Sequence, residues 1–279
     1  MAEALLAGGA SVAAAVAHGR DLLAAAGCDT PRLDAELLLA HALGVGRERL
    51  VLDHDQPLAD GARSRYAVLL ARRAAREPVP YILGRREFRR ITLAVDSRVL
   101  IPRPESELLV EVGLELPSGA RVGDVGTGSG AIALALAEER PELVILGLDI
   151  DPNAITVARE NAVRLGLPVE FAVADLLGEG AFDAVLANLP YVPCDAPLAP
   201  EIARYEPPGA LFAGIDGLDA VRRLVTAVAA RTPRPALLAL EIGPEQAAEV
   251  CRLVRDAGYA FVEARRDLAG RERVVVGSC

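Results

Sequence analysis

The amino-acid sequence predicts an α/β fold, in which a doubly wound, mostly parallel sheet follows a small helical bundle. From residue 121 onward, short apolar runs with the length of buried strands alternate with helical segments. Before that, in residues 1–77, apolar residues recur every three or four positions, which is the period of packed helices. The predicted strands cover residues 121–125, 143–148, 169–173, 182–187, 237–241, 259–263 and 273–276, and the helices among them cover residues 108–116, 131–138, 153–165 and 243–257.

Length and composition fit this architecture and argue against several classes of protein. The chain has 279 residues, 52% of them hydrophobic, and its formal net charge is -9. Such an acidic chain is not an obvious binder of nucleic acid. Its first residues lack the basic region of a signal peptide, and no apolar run is long enough to span a membrane. We therefore expect a cytoplasmic protein without a membrane partner, and we take a monomer as the expected state.

Cysteine usage supports the same compartment. The four cysteines, Cys28, Cys194, Cys251 and Cys279, are scattered and form no C-x-x-C pair. This spacing is typical of reduced thiols and not of a disulfide framework or a zinc site. We expect no bound metal, and the sequence leaves open whether Cys194 lies near a functional site.

The helical region divides into three predicted helices by its capping and stop signals. The first covers residues 11–26. The second covers residues 31–43, where a Thr-Pro pair supplies a cap and a first-turn proline and a glycine ends the helix. The third covers residues 59–76 and is ended by a proline. Residues 78–100 form a predicted linker with a β-hairpin, because residues 88–95 alternate with a period of two.

A rigid segment precedes the α/β region. Its prolines exclude helix at Pro102, whereas Pro104 suits the first turn of the helix that follows. Arg103 lies between these prolines, so its backbone is held in place. The sequence gives equal weight to two roles for Arg103, which are facing a ligand and pairing with a carboxylate.

A strand, a glycine-rich turn and a helix then follow in the order typical of a nucleotide cradle. Glycines allow the backbone to approach a ligand, and the amino terminus of the helix is polar. The spacing is G-x-G-x-G, which gives weak support for NAD and counts against ATP. Asp124 adds a negative charge beside the turn and favours a cationic ligand. The turn consists of Gly126, Thr127, Gly128, Ser129 and Gly130.

Acidic residues follow two further strands at the same edge of the predicted sheet. Asp149 ends the second strand, about 20 residues after the glycine turn, where an acid can hold ribose hydroxyls. Asp151 is expected instead to cap the next helix. Asp175 and Leu176 follow the third strand, where the carboxylate can meet an adenine amino group and the leucine can pack on the base.

The strongest candidates for the reaction site are the four residues that directly follow the fourth strand. Asn188, Leu189, Pro190 and Tyr191 come at the carboxyl edge of the sheet, where ligands bind in open α/β folds. Asn188 offers an acceptor oxygen, Pro190 holds Leu189 extended, and Tyr191 supplies a flat face with a polar tip. Together they predict a clamp for a planar group that carries an NH2. Considered alone, the stretch is equally compatible with an ordinary Asn-x-Pro turn.

In combination, these features resemble class I S-adenosylmethionine-dependent methyltransferases that act on planar nitrogens. The shared features are the acid before G-x-G-x-G, the acid that ends the second strand, and N-x-P-Y after the fourth. The wider match is to the release factor glutamine methyltransferase family, also called PrmC or HemK. It covers nearly the whole chain and is carried by residues 77–84, 101–105, 204–207 and 266–273.

The resemblance implies a Rossmann-like fold with a seven-stranded sheet and S-adenosylmethionine as the methyl donor, with S-adenosylhomocysteine as product. It implies methylation of the side-chain amide nitrogen (N5) of glutamine in the Gly-Gly-Gln motif of class 1 peptide chain release factors. Residues 1–77 would recognise that substrate, and residues 101–279 would bind the cofactor. The length of the segment 192–217 separately predicts a lid or substrate wall. The implied catalytic residues are Asn188, Leu189, Pro190 and Tyr191, and the implied cofactor-binding residues are Asp124, Gly126, Thr127, Gly128, Ser129, Gly130, Asp149, Asp175, Leu176 and Asn188.

The sequence departs from the family at one position of the clamp. The family's usual stretch is N-P-P-Y, and Leu189 replaces its first proline. Because that position acts through its backbone carbonyl, we expect a less rigid clamp and the same substrate. N-L-P-Y also resembles rRNA adenine dimethyltransferases, so an N6-adenine methyltransferase acting on rRNA or DNA is the alternative. Those enzymes usually carry their extra domain after the catalytic one, and acidic charge disfavours RNA. A silent binding module would need a broken clamp or cradle, and both are intact.

Overall fold

The computed structural model describes residues 10–279, which divide into two compact units. The first unit ends at Gly84 and also includes Ala199–Tyr205, and the second comprises Arg85–Leu198 and Glu206–Cys279. The predicted boundary after residue 77 therefore falls before the end of the first unit. No local signal assigned residues 199–205 to that unit, because their membership depends on contacts with residues distant in sequence.

The helices have the following bounds: α1 (Val12–Ala25), α2 (Pro31–Leu43), α3 (Arg47–Leu52), α4 (Asp60–Ala74), α5 (Val79–Leu83), α6 (Glu107–Leu114), α7 (Ala131–Glu139), α8 (Pro152–Leu165), α9 (Pro200–Tyr205), α10 (Asp219–Ala229) and α11 (Ala247–Asp256). The strands are β1 (Arg85–Phe88), β2 (Ile91–Ala94), β3 (Arg121–Val125), β4 (Val144–Asp149), β5 (Glu170–Val173), β6 (Ala184–Ala187), β7 (Leu237–Glu241), β8 (Phe261–Arg266) and β9 (Glu272–Ser278).

The first unit contains the three predicted helices as α1, α2 and α4, and adds α3, α5 and α9. The added helices have five or six residues each, too few to show a helical period in the sequence. Helix α1 begins as expected, because the Ser11 side chain accepts a hydrogen bond from the Ala14 N–H. The predicted cap of α2 is wrong in detail. The Thr30 hydroxyl donates to Asp34 at 2.8 Å and makes no capping bond to the backbone.

A buried ion cluster lies in the apolar core of the first unit. The Arg73 Nε donates to Asp34 at 2.7 Å, and its Nη2 donates to Glu201 on α9 at 3.0 Å. Arg76 completes the cluster with a 2.6 Å bond to Glu201. The Asp34 and Arg73 side chains are only 6% and 7% exposed, so each charge depends on its partners for compensation.

The second unit contains a seven-stranded sheet, as predicted. Its strand order is β5-β4-β3-β6-β7-β9-β8, with parallel pairing from β5 to β7 and antiparallel pairing of β9 with β7 and β8. The order reverses between β3 and β6, and a crevice for ligands is expected at the carboxyl ends of such neighbouring strands. The register pairs Val125 with Ala187, so the glycine turn and the clamp begin side by side.

Three local predictions for the second unit are corrected by the structure. The hairpin is present, but residues 88–95 are not one strand, because β1 and β2 are joined by a turn at Arg89 with a φ of 48°. Helix α11 begins at Ala247 and not at residue 243. The Gly243 N–H, which would lie in the predicted helix, donates a hydrogen bond to the Gln246 side-chain oxygen. Helix α10 was not predicted, although its buried residues have helical spacing: Val221, Leu224, Val225 and Val228.

Within residues 10–279, none of the helices combines the length and the apolar character needed to cross a bilayer.

Candidate active site

A cavity of about 500 Å³ lies at the carboxyl edge of the sheet, next to the reversal of strand order. Its volume is in the range typical of small-molecule sites. The glycine turn, the ends of β4 and β6, the segment 98–106 and the segment 207–214 contribute its walls. Most of the predicted site residues line it: Gly126, Thr127, Gly128, Ser129, Asp149, Asp175, Leu176, Asn188, Leu189 and Pro190. The lining does not include Asp124, Gly130 or Tyr191.

The glycine turn depends on glycine at Gly126 for a close approach. Gly126 has a φ of 74°, and a Cβ there would lie 3.0 Å from the Leu189 side chain and 3.1 Å from the Asn188 carbonyl oxygen. A larger residue would therefore push the turn away from the clamp. At Gly128, whose φ is 55°, a Cβ would have no atom within 4 Å, so the backbone there borders open space. Gly130 is the N-cap residue of α7, with a φ of 82°, and a Cβ there would lie 2.9 Å from the Leu134 side chain.

Asp124 supports the glycine turn through hydrogen bonds to its side chain. It is fully buried, and its Oδ2 accepts hydrogen bonds from the Thr127 hydroxyl at 2.6 Å and the Ala133 N–H at 3.1 Å. Burial raises the pKa of Asp124 to about 6. The sequence favoured a carboxylate facing a cationic ligand here. The observed contacts of Asp124 are instead with the turn itself and the first residues of α7.

Asp149 is held in the cavity wall by two backbone donors. Its Oδ2 accepts from the Gly128 N–H at 2.9 Å and its Oδ1 from the Asp151 N–H at 3.0 Å. A carboxylate has about four lone-pair sites, so acceptor capacity remains for the hydroxyls of a ligand. Burial raises the pKa of Asp149 above its usual value. Asp151 caps α8, as predicted, by accepting from the Asn153 N–H at 2.8 Å.

Asp175 meets a partner that the sequence did not reveal. Arg223, on the unpredicted helix α10, donates to the Asp175 Oδ2 at 2.5 Å, and both side chains are about half exposed. Both also line the cavity. Next to this pair, Leu176 has a φ of 61°, a backbone conformation that residues other than glycine rarely adopt. This end of the cavity therefore combines an ion pair with an apolar side chain.

The clamp is held by three polar side chains that the sequence analysis missed. The Asn188 Nδ2 donates to the Ser106 Oγ at 2.9 Å, and the Tyr191 hydroxyl donates to the Glu241 Oε1 at 3.3 Å. The Gln246 Nε2 donates to the Tyr191 carbonyl oxygen at 3.1 Å. Glu241 could have been found, because it is an acid at the carboxyl end of a strand like Asp149. Ser106 and Gln246 carry no such signal.

Tyr191 does not line the cavity, and its hydroxyl and carbonyl groups are bonded to Glu241 and Gln246. Burial and the nearby Glu241 raise the pKa of Tyr191, so its hydroxyl stays protonated at neutral pH and acts as a donor. The predicted packing of this ring on a substrate is not tested by the structure. Its observed contact is with Glu241.

Of the two roles that the sequence left open for Arg103, the structure shows the pairing with a carboxylate. Arg103 Nη2 donates to the Glu206 Oε1 at 2.6 Å, and the Ile101 N–H donates to Glu206 Oε2 at 3.2 Å. Glu206 is buried and belongs to the second unit, so this pair connects the segment 98–106 with the segment 207–214. Arg103 therefore pairs with a carboxylate and joins two walls of the cavity. Cys194 is an exposed free thiol and is absent from the cavity lining.

Across the described range 10–279, no group of three or more His, Cys, Asp or Glu side chains is arranged to hold a metal ion.

Known proteins match the chain over both units. A family model described as PrmC N-terminal domain matches residues 14–84, and one described as Methyltransferase domain matches residues 116–264. The release factor glutamine methyltransferase of Rhodospirillum rubrum is 42% identical over 262 residues, covering 91% of this chain and 81% of that one. That of Burkholderia pseudomallei is 44% identical over 275 residues, covering 94% of this chain and 96% of that one. The chain belongs to the release factor glutamine methyltransferase family.

Membership confirms the resemblance seen in the sequence, and the fold has a further solved counterpart. The hMettl16 catalytic domain, in complex with MAT2A 3'UTR hairpin 6, superposes with a TM-score of 0.57. The two chains are 17% identical, and the match covers 75% of this chain and 81% of that chain. A likeness at this identity concerns the fold alone. It agrees with the predicted Rossmann-like class I methyltransferase fold.

Replacing Asp149 by alanine is expected to weaken the binding of S-adenosylhomocysteine by about 10- to 150-fold. Without the carboxylate, the ligand hydroxyls would lose charge-assisted hydrogen bonds, and these bonds are worth roughly 1.5–3 kcal/mol. Calorimetric titration measures this change. Asp151→Ala is the matched control, because Asp151 lies in the same wall but its carboxylate is used to cap α8. Equal affinities of the Asp149 variant and the parent would remove Asp149 from this role.

Proposed function

We propose that this chain transfers a methyl group from S-adenosylmethionine to the side-chain amide nitrogen of the glutamine in the Gly-Gly-Gln motif of class 1 release factors. The observation that carries this proposal is the orientation of Asn188. Its Nδ2 is bonded to Ser106, which leaves the Oδ1 as an acceptor at a residue that lines the cavity. An acceptor suits a substrate group that carries N–H hydrogens.

The cavity has features that fit S-adenosylmethionine. The open space at Gly128 allows a ligand to approach the backbone, and the spare lone pairs of Asp149 suit ribose hydroxyls. Asp175 and Leu176 together offer a polar group and an apolar surface for a base. When bound, S-adenosylmethionine supplies an electrophilic methyl group on a positively charged sulfur. The acidic side chains around the cavity favour that charge.

The clamp residues address the weak nucleophilicity of an amide. The lone pair of an amide nitrogen is delocalised into its carbonyl group, so the nitrogen needs both orientation and stabilisation of the charge that it gains. The Asn188 Oδ1 and the Leu189 carbonyl oxygen would accept its two hydrogens and fix its direction. Acceptors fixed in advance also favour the positive charge that develops on this nitrogen.

Leu189 supports this role although it replaces a proline. Its side chain is 7% exposed and packs in the apolar core of the second unit. A Cβ at Gly126 would touch the Leu189 side chain, which supports a tight fit between the turn and this residue. Packing therefore restrains the Leu189 backbone where a proline ring would otherwise do so.

The first unit is proposed to recognise the release factor. All residues that line the cavity belong to the second unit, so the helices of the first unit have no assigned part in the chemistry. Its match to the PrmC N-terminal domain supports a function particular to this family.

The test of the proposed function is incubation of the chain with a class 1 release factor and isotopically labelled S-adenosylmethionine, followed by peptide mass mapping. Label is expected on the glutamine of the Gly-Gly-Gln tripeptide. A release factor in which that glutamine is replaced by glutamate is the matched control and should take up no label there. Label on an adenine of rRNA or DNA, with none on the release factor, would overturn the proposal and favour the N6-adenine alternative.

Removing residues 1–84 is expected to leave cofactor binding intact and to reduce methylation of an intact release factor. The reduction should be smaller for a short peptide that contains Gly-Gly-Gln, because such a peptide lacks the remaining surface of the release factor. Comparison of kcat/KM for the two substrates measures the difference. An equal reduction for both substrates would argue against a recognition role for the first unit.

A further inference from the structure

The side-chain amide of Gln246 joins three separate segments of the second unit. Its Nε2 donates to the Tyr191 carbonyl oxygen at 3.1 Å and to the Asp216 carbonyl oxygen at 3.1 Å. Its Oε1 accepts from the Gly243 N–H, between β7 and α11, at 2.8 Å. Tyr191 ends the clamp, and Asp216 follows the segment 207–214 of the cavity wall, so the amide connects the clamp to that wall.

The amide satisfies these three bonds in one orientation only. Both hydrogens of the Gln246 Nε2 face carbonyl oxygens, and the Oε1 faces an N–H. Reversal of the amide would place an oxygen against two acceptors and an NH2 against a donor. All three partners are backbone groups, so the arrangement is independent of the side chains at positions 191, 216 and 243.

The Gln246 side chain is used outside the helix that it precedes. Gln246 occupies the N-cap position of α11, where a side chain typically accepts a hydrogen bond from the first turn of the helix. Its oxygen accepts instead from Gly243, which lies before the helix. The neighbouring Glu245 has a φ of 68°, a strained conformation that persists where the surroundings fix it. The β7–α11 turn is therefore shaped to direct Gln246 toward the clamp.

Two glycines give this amide its room beside Tyr191. Gly217 has a φ of 75°, and a Cβ there would overlap the Tyr191 carbonyl oxygen and lie 2.9 Å from the Gln246 Nε2. A Cβ at Gly243 would lie 3.1 Å from the Tyr191 Cδ2 and 3.1 Å from the Gln246 Oε1. The clamp, the wall and the turn thus meet in close contact around one side chain.

The residue after Tyr191 pairs directly with the cavity wall. The Val192 N–H donates to the Leu211 carbonyl oxygen at 2.9 Å, and the Ala213 N–H donates to the Val192 carbonyl oxygen at 3.0 Å. Ala213 lines the cavity. Gln246 bridges the same two segments from the side, so a movement of either segment would disturb the other.

We infer that Gln246 is a positioning residue that fixes the backbone of the clamp relative to the cavity wall. The inference rests on the proposed function and extends it to a residue outside the clamp. In that function the Leu189 carbonyl oxygen accepts a substrate hydrogen, and only Pro190 separates Leu189 from Tyr191. Because Pro190 restricts the backbone between them, a shift of the Tyr191 carbonyl group displaces the acceptor at Leu189.

The experiment compares two substitutions with the parent in single-turnover methylation of a release factor at saturating S-adenosylmethionine. Gln246→Glu keeps the shape and the acceptor for the Gly243 N–H, but its carboxylate cannot donate to the carbonyl oxygens of Tyr191 and Asp216. Gln246→Met has a similar length and replaces the amide by an apolar group. We expect a rate lower by about 10- to 100-fold in both variants, because small misplacements of reacting groups have effects of this size.

The binding of S-adenosylhomocysteine, measured by calorimetry, should stay close to that of the parent in both variants. The glycine turn and Asp149, which are proposed to hold the cofactor, make their hydrogen bonds elsewhere in the cavity. A role limited to the start of α11 would need only the bond to Gly243, which Gln246→Glu keeps. The glutamate variant therefore separates positioning of the clamp from stabilisation of the helix.

Arg252→Ala is the matched control on the same helix. The Arg252 side chain is 57% exposed, and its ion pairs are with Glu249 and Asp256 of α11. The rate and the cofactor affinity of this variant should equal those of the parent.

A second measurement does not depend on activity. Tyr191 and Val192 form the only Tyr-Val pair in the sequence. Labelling the carbonyl carbon of tyrosine and the nitrogen of valine with NMR-active isotopes therefore gives a single cross-peak between an amide and the preceding carbonyl group. Loss of the hydrogen bond from Gln246 should shift the Tyr191 carbonyl resonance upfield in Gln246→Met and leave it unchanged in Arg252→Ala.

A parental rate in Gln246→Glu would overturn the inference, because the bonds that Gln246 donates would then be dispensable for the reaction. A lower rate in Gln246→Met with an unshifted Tyr191 resonance would also overturn it, because the clamp backbone would not depend on Gln246. Failure of the parent itself to methylate a release factor would instead overturn the proposed function. The resonance is measured without substrate, so the two failures are distinguishable.

Discussion

Replacing Asn188 by alanine is expected to lower the rate of methyl transfer by on the order of 100-fold or more, the typical cost of losing one polar contact fixed in advance. The variant should fold and bind S-adenosylmethionine nearly as well as the parent. Asn188 follows β6 and contributes one side-chain hydrogen bond, to Ser106, whereas the glycine turn and Asp149 lie elsewhere in the cavity. Single-turnover methylation of a release factor, with calorimetry for the cofactor, measures both properties.

Asn188→Asp is the informative companion of this variant. Aspartate has the same size and keeps an acceptor, but it has no NH2 to donate to Ser106. The new carboxylate could only accept a hydrogen bond from the Ser106 hydroxyl, which reverses the bond that Asn188 makes. We expect partial activity, below that of the parent. If position 188 were only part of a turn, aspartate would serve equally well there and the rate would change little.

The outcome for alanine decides between these interpretations. A parental rate for Asn188→Ala, at an unchanged melting temperature, would contradict the clamp and most of the chemistry proposed for it. A low rate accompanied by a lowered melting temperature would instead indicate a structural defect, so both quantities need to be measured on the same preparation.

Replacing Arg73 by alanine is expected to destabilise the first unit by about 3–5 kcal/mol, as is typical when one partner of a buried ion pair is removed. Arg73 bonds both Asp34 and Glu201, whose side chains are 6% and 14% exposed. Without Arg73, the buried Asp34 carboxyl group would lose its guanidinium partner and keep only the Thr30 hydroxyl as a side-chain donor. Native-state hydrogen exchange of the amides in α2 and α4 reports this local free energy of unfolding.

Arg72→Ala is the matched control on the same helix. Arg72 is 40% exposed and pairs with Glu77, so its removal should cost less than about 1 kcal/mol. Equal losses of protection for the two variants would show that the buried cluster contributes no more than an exposed pair. The position of Arg73 in the core would then be irrelevant to stability.

The sequence predicted the parts of this protein that depend on local signals. The seven strands, the glycine turn and the cap at Asp151 each follow from a short stretch whose pattern is sufficient by itself. Asn188 and Asp149 were found in the same way, because each directly follows or ends a predicted strand. The family motifs then supplied the chemistry that spacing alone left open.

The parts that were missed depend on tertiary contacts. Ser106 and Glu241 lie far from the clamp in the sequence, and they meet Asn188 and Tyr191 only when the sheet forms. Glu206 likewise becomes a partner of Arg103 through a separation of 103 residues. The helix α9 joins the first unit through Glu201, which no pattern within six residues can reveal. Composition and periodicity contain no record of such pairings.

The buried side chain of Leu189 links the rigidity of the clamp backbone to the packing of the core, whereas a proline would keep these two properties separate. A proline ring stiffens a backbone through its own covalent geometry, independently of its neighbours. Leu189 relies on the surrounding core and on the absence of a side chain at Gly126. In the proposed mechanism, substrate alignment and core packing thus share one residue. On that mechanism, evolution of the core around Leu189 is constrained by the reaction, even at positions that no substrate touches.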